Sequence, residues 1–168
     1  MILLHAQPYD ISANGFYFED ADSYEAKARN NKNDYGQPVE EYEIQFIDGD
    51  DIDCALAKAW GINQANFAAY LEAAEDWDED DKHRYIIAVG ECGYSHEQVA
   101  SDPSSVDMSL YALSSMRDLA EQFVEEGIFG EIPESLQFYI DYDAIARDLS
   151  VDYAETTIAG TNFIFHCA

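Results

Sequence analysis

The densest set of reactive groups is the run Asp76-Trp77-Asp78-Glu79-Asp80-Asp81, five carboxylates in six residues. Such a run could chelate calcium. An EF-hand loop opening at Asp76 would need Gly at its sixth position and Glu at its twelfth, and the chain has Asp81 and Ile87 there. The run from Asp48 to Asp53 also fails, with Ile52 where its fifth position needs an oxygen ligand. His5, His83, His96 and His166 have no metalloprotease spacing, and no phosphate-binding glycine loop, nucleophile elbow or Cys–His signature is present. A glycosidase pair can always be drawn from 35 acids, so their number points to no particular pair. No catalytic residue, no metal site and no cofactor are expected.

What remains is charge. The 35 acids stand against 8 Lys and Arg, a formal net charge of −27. Residues 33–57, 59–81, 85–116 and 118–146 contain no Lys or Arg. Tyr, Phe and Trp run through these spans, unlike a disordered acidic tail, and 48% hydrophobic content is enough for a core. The acidity therefore belongs to a folded body. Self-repulsion at this level opposes compaction, so the charge is expected to serve a use. Cys54, Cys92 and Cys167 lack CxxC spacing and read as reduced thiols. The stretch MILLHAQPYD has neither the basic flank nor the apolar length of a signal peptide, and no run approaches the roughly 18 apolar residues of a span. A cytoplasmic protein with no membrane association is expected.

The elements that would carry these acids follow from periodicity. Residues 2–6, 16–18 and 41–47 read as strands, with an Asn14-Gly15 turn and a short helix capped at Asp22 or Ser23. From Asp51 the pattern is helical, with Ile52, Ala55, Leu56, Ala59 and Trp60 on one face and Gly61 as the stop. A second helix follows Asn63. The run YIIAV at 85–89 is strand or buried helix, and a short helix follows Ser95. After the linker SDPSS comes a strand over 106–113. A helix then starts at Ser114 or Ser115 and stops at Gly127, and a terminal hairpin turns at Ala159-Gly160. The stretch LQFYIDYDAIARDLS, residues 136–150, reads as one regular helix entered through Pro133. Its Tyr139 and Tyr142 lie three apart, and either core packing or a partner interface suits them. The fold class is α+β, an elongated chain of three small parts. These are an N-terminal α+β unit (1–50), a central, mainly helical unit (51–102) and a C-terminal α+β unit (103–168).

Three uses fit the charge: a halophilic surface, steering toward a basic partner, and imitation of DNA. At one charge per about 1.7 Å of axis, 27 charges match roughly 46 Å, or about 14 base pairs, of B-DNA. Acids four apart on a helix lie about 5–6 Å apart, and Glu72/Asp76/Asp80 and Glu121/Glu125 have that spacing. A solvated helix face would look the same.

The segment EIPESLQFYIDYDAIARDLS (131–150), above all YIDYDAIARDL, closely resembles the antirestriction motif of the ArdA family, and SSMRDLAEQFVEEGIFGEIPESLQ upstream is similar to that family as well. The resemblance is strongest from residue 106 onward, with GFYFE and EYEIQFID fitting the family layout near the N-terminus. It implies an inhibitor carried by mobile genetic elements rather than an enzyme. Such an inhibitor acts as a curved, elongated, acidic homodimer that imitates B-form DNA in the groove of type I restriction–modification enzymes, with no nucleic acid bound directly. By position it assigns Leu136, Tyr139, Ile140, Asp141, Tyr142, Asp143, Ala144, Arg147, Asp148 and Leu149 to the antirestriction motif and dimer interface. The acids taken to imitate phosphates are Glu72, Glu75, Asp76, Asp78, Glu79, Asp80, Asp81, Asp118, Glu121, Glu125, Glu126, Glu131 and Glu134. The alternative is an acidic adaptor for another basic protein, such as a nucleoid protein or transcription regulator.

Overall fold

The computed structural model describes residues 1–168 and has the expected α+β content. It forms two compact units, residues 1–105 and 106–168. No helix is long and apolar enough to cross a membrane.

The first unit begins with an antiparallel sheet in the order β2-β1-β3, from β1 (Leu3–Pro8), β2 (Phe16–Phe18) and β3 (Tyr42–Asp48). Alternation on β1 buries Leu4 and Ala6, and α1 (Ala21–Asn30) buries Tyr24, whose ring lies 5.0 Å from that of Phe18 on β2. The cap of α1 is Asp20, two or three residues earlier than expected. Its carboxylate accepts from the Ser23 amide, and the Ser23 hydroxyl closes a capping box. The Asn14-Gly15 signal also acts differently from a tight hairpin: a Cβ on Gly15 would stand 2.6 Å from the His5 ring and 2.7 Å from the Ala6 carbonyl oxygen. Glycine is needed there for close approach rather than for turn geometry.

The helices α2 (Asp51–Trp60), α3 (Phe67–Asp76), α4 (Glu79–Gly90) and α5 (His96–Val99) follow. Gly61 ends α2 in the left-handed conformation, as expected. The ambiguous YIIAV is helix: Tyr85, Ile86, Ile87 and Ala88 are all buried, so this apolar run is buried all round. Phe67 on α3 reaches the sheet side, with its ring 5.2 Å from Phe18 and 4.6 Å from Tyr24. The rings of Trp77, Tyr85 and His96 lie 4.5–5.6 Å from that of Trp60. Lys82 of α4 and Asp53 of α2 form a buried ion pair at 2.8 Å.

The second unit is a sheet in the order β4-β6-β5, from β4 (Met108–Tyr111), β5 (Ala154–Ile158) and β6 (Thr161–Cys167), with α6 (Met116–Glu125) and α7 (Tyr142–Leu149). The expected hairpin turns at Ala159 and Gly160, both at positive φ. Leu119, Phe123 and Ile164 form the buried core, with Tyr111, Leu113, Met116, Leu149 and Tyr153 against it.

The expected single helix over 136–150 is not present. Residues Glu134–Tyr139 form a 3-10 helix, Ile140 is extended, and α7 starts afresh with Asp141 as its cap, accepting from the Ala144 amide at 3.0 Å. An aspartate at that point offers the backbone a helix start in place of continuation. The upstream turn buries no side chain that could hold it in α geometry. Tyr139 and Tyr142 therefore do not share a helix face. Cys54 is free and exposed.

Two buried phenols make the first unit alkali-sensitive. Tyr85 shares a 2.8 Å hydrogen bond with His96 Nδ1, and burial pushes its phenol up to about 12. Tyr70 donates to the Asp53 carbonyl oxygen at 2.9 Å and is also raised, first by burial and then by Asp53 and Cys54. An unfolded tyrosine ionises near pH 10. The raised folded values mean that this contribution is complete below about pH 10 and is lost as pH climbs through about 12. We expect loss of helical circular dichroism and growth of phenolate absorbance in one cooperative step in that window. Phenolate appearing while the helices persist would contradict it.

Candidate acidic interface

The acids of the central helices are placed by backbone chemistry before any partner is considered. Asp78 caps α4, its carboxylate accepting from the Asp81 amide at 2.9 Å, and Glu79, Asp80 and Asp81 fill the first turn, where the helix dipole favours negative charge. The run that resembled a chelating loop is thus a helix start, and no three acidic, His or Cys side chains converge as a ligand set. Trp77 interrupts the chain between α3 and α4. The row Glu72/Asp76/Asp80 is therefore not one helix face, because Glu72 and Asp76 sit on α3 and Asp80 on α4. Partial burial, with Asp78, Asp80 and Asp102 nearby, raises the Asp81 carboxyl above its ordinary range.

The few bases decide which acids are free. Arg84 binds Asp80 at 2.8 Å, and Arg117 binds Glu121 at 3.0 Å. Asp80 and Glu121 are thus already partly neutralised. Glu72, Glu75, Asp76, Asp78 and Glu79 are exposed with no ion-pair partner, as are Glu125, Glu126, Glu131 and Glu134 of the second unit. Glu126 accepts a hydrogen bond from Gln122 at 2.8 Å, and Asp118 is half-buried in the first turn of α6, which Ser115 caps. Glu121 and Glu125 do share one helix, so that i,i+4 pair exists as read.

The segment 136–150 divides into an apolar display and a charged helix. Leu136 and Tyr139 are exposed, Phe138 is 95% exposed, and Ile128 and Phe129 are exposed in the preceding turn. A soluble surface rarely leaves this many large apolar groups together in sequence without covering them. Ile140 and Ala144 are half-buried, and Leu149 packs on the core of its unit. On α7, Asp143 is held by Arg117 at 2.7 Å, and the same guanidinium lies 5.7 Å over the Tyr142 ring. Asp143 and Glu121 together raise the Arg117 guanidinium further. Arg117 so clasps α7 to α6 from three sides. Asp141 is used as a cap, while Arg147 and Asp148 project into solvent without an ion pair.

The spacing of Arg117 and Glu121 was readable as an i,i+4 pair, but nothing in the sequence linked Arg117 to Asp143, 26 residues on. The role of Glu155, whose carboxylate accepts from the Met116 amide at 2.9 Å, was also missed for lack of a local signal.

A family model described as antirestriction protein (ArdA) matches residues 14–163 of the 168. No curated protein matches the chain.

Proposed function

The chain belongs to the ArdA family of antirestriction proteins, and from this premise we propose that it inhibits type I restriction–modification enzymes by presenting a surface that stands in for B-form DNA. The observation that carries the reading is the set of exposed carboxylates without intramolecular counter-ions: Glu72, Glu75, Asp76, Asp78 and Glu79 in the first unit and Glu125, Glu126, Glu131 and Glu134 in the second. DNA-binding grooves draw most of their affinity from phosphate contacts, which carry no sequence information. Carboxylates held on helices meet the same Lys and Arg side chains. They display no base edges, so inhibition extends across enzymes of different target sequence. Such a protein needs no catalytic group and works by competition.

The exposed apolar row of Leu136, Phe138 and Tyr139, with Ile128 and Phe129, supports a second part of the proposal. In it, this segment is the contact of an elongated homodimer whose copies each carry three small parts, 1–50, 51–102 and 103–168. Aromatic and aliphatic side chains of this kind make the core of protein interfaces, and acids do not. The motif helix α7 then displays Arg147 and Asp148 beside that contact.

The test is a protection titration. Unmodified DNA is mixed with a type I restriction–modification enzyme and increasing protein, with a type II endonuclease as control. Protection against the type I enzyme alone, complete at about one dimer per DNA-binding site, is the expected result. Equal protection against both enzymes would mean nonspecific sequestration. No protection against either would reassign the protein as an acidic adaptor for a different basic partner.

A further inference from the structure

In the first unit β1 ends at Pro8, which pairs with Tyr42 at the start of β3, and two loops meet beyond that end of the sheet. Residues 9–15 join β1 to β2, and residues 31–41 join α1 to β3. The Asp34 amide donates to the Ser12 carbonyl oxygen at 2.9 Å, and the Asn33 side-chain amide donates to Asp10 Oδ2 at 2.8 Å. Asp10 Oδ1 accepts from the Ser12 amide at 2.9 Å and from its hydroxyl at 2.7 Å. Within the second loop, Asn33 Oδ1 accepts from the amides of Tyr35 and Gln37, and Gly36 takes a positive φ. The Tyr9 amide donates to the Glu41 carbonyl oxygen at 3.2 Å. Side chains 23 positions apart thus clasp the two loops together.

This clasped platform displays apolar groups. Ile11 is fully exposed, Tyr35 is 82% exposed and Tyr9 is 67% exposed. Ile11 and Tyr35 each adjoin the Ser12–Asp34 hydrogen bond, so their backbones are neighbours across the clasp. Single apolar residues on a surface need no explanation, but a group of them held together does. Tyrosine and aliphatic side chains make the centres of protein interfaces, and a loop already fixed in shape binds with little ordering cost. Tyr9 also borders a cleft of about 220 Å³ beside Pro38 and Val39. That is smaller than the roughly 300–1,000 Å³ of small-ligand sites, so the face suits a protein surface better than a small molecule. Exposed Asp34, Glu40 and Glu41 surround it without ion-pair partners, against one nearby base, Lys32. A second copy of the chain would set the same acids against these, and facing like charges oppose association. The complementary occupant has an apolar centre and a rim of Lys and Arg.

We propose that Ile11, Tyr35 and Tyr9 are the apolar centre of a docking face for such a surface on the restriction enzyme. The assignment rests on the antirestriction reading and adds to it a basis for selection. Exposed carboxylates address any basic groove, so charge alone does not separate one DNA-binding protein from another. An apolar contact adds affinity only where the partner carries a matching patch. Its contribution comes from burial of apolar area, which salt does not screen.

The experiment is fluorescence anisotropy of the labelled full chain against a purified type I restriction–modification enzyme, at about 50 and about 200 mM salt. The test variant is Ile11→Ser/Tyr35→Ser, which keeps the charge and every side chain of the clasp. The control is Ile47→Ser: Ile47 is exposed too, but it precedes Asp48, which pairs with Leu3 at the opposite end of the sheet. Melting curves verify that each variant is folded. Ile11→Ser alone, which leaves the turn at 33–37 untouched, carries the same test should the double variant be unstable. We expect the double variant to weaken binding by about tenfold or more at both salt concentrations, with Ile47→Ser unchanged. Unchanged affinity in the folded variant, a loss confined to low salt, or an equal loss in Ile47→Ser would overturn the docking face and leave the antirestriction reading standing. Altered sedimentation of the free variant would also overturn it, by assigning the face to a contact between copies. A parent chain that does not bind the enzyme would overturn both.

Discussion

Raising salt from about 50 to 200 mM will release the restriction enzyme from this protein, with affinity falling by about a hundredfold or more. Proteins that neutralise six to ten phosphates lose about 10³–10⁵ in DNA affinity over that range. Carboxylates on a folded surface condense fewer counterions than a duplex, so the expected slope is somewhat shallower than that of DNA itself. The free acids named above are solvent-facing, where screening is strongest. The companion variant Glu72→Gln/Glu75→Gln/Asp76→Asn/Glu79→Gln should weaken inhibition by about 10²–10³ at low salt, because close charge pairs across interfaces couple by about 1.5 kcal/mol or more. It should also flatten the salt slope. Asp78 is left intact in that variant, since it caps α4 and its loss would test the helix rather than the interface. Binding measured by fluorescence anisotropy against salt decides the matter. An affinity indifferent to salt would remove DNA imitation as the mechanism, whatever the protection assay gives.

The largest stability effect is expected inside the first unit. Lys82→Met should destabilise it by about 3–5 kcal/mol, lowering its melting temperature by roughly 15–20 °C, because Asp53, its side chain only 10% exposed, would be left without its counter-ion. Tyr70 hangs on the same residue through the Asp53 carbonyl oxygen, so the damage reaches the α3 packing as well. Lys82→Met/Asp53→Leu should recover most of the loss, since a buried pair replaced by apolar groups is often neutral. Urea denaturation of both variants measures the difference. A single variant as stable as the parent would mean that the Asp53–Lys82 pair does not hold the first unit together. For a chain with only 8 bases, placing one in the interior rather than among the surface acids marks it as a structural counter-ion. Arg117 is its counterpart in the second unit, holding α7 to α6 through Asp143 and Glu121.

The sequence by itself determined the character of the molecule. Net charge, the interleaving of aromatics with acids, and the YIDYDAIARDL segment identified a folded acidic member of an antirestriction family, and the family match bears that out. The strand at 16–18, the strand read at 41–47 and found one residue later, the Gly61 stop and the Ala159-Gly160 hairpin were legible too, because each is dictated by side-chain alternation or by a backbone angle within a few residues. Only the tertiary structure decided which acids are available. Asp53 meets Lys82 across 29 positions and Asp143 meets Arg117 across 26, and helical periodicity carries no information at that range. The break at Ile140 was equally out of reach of periodicity. The apolar spacing of 136–150 suits a helix, but the residues Glu134–Tyr139 find no buried partner to hold one, and Asp141 satisfies the first free amides of a new helix instead. Pattern proposes an element; burial and the satisfaction of backbone donors decide where it begins and ends.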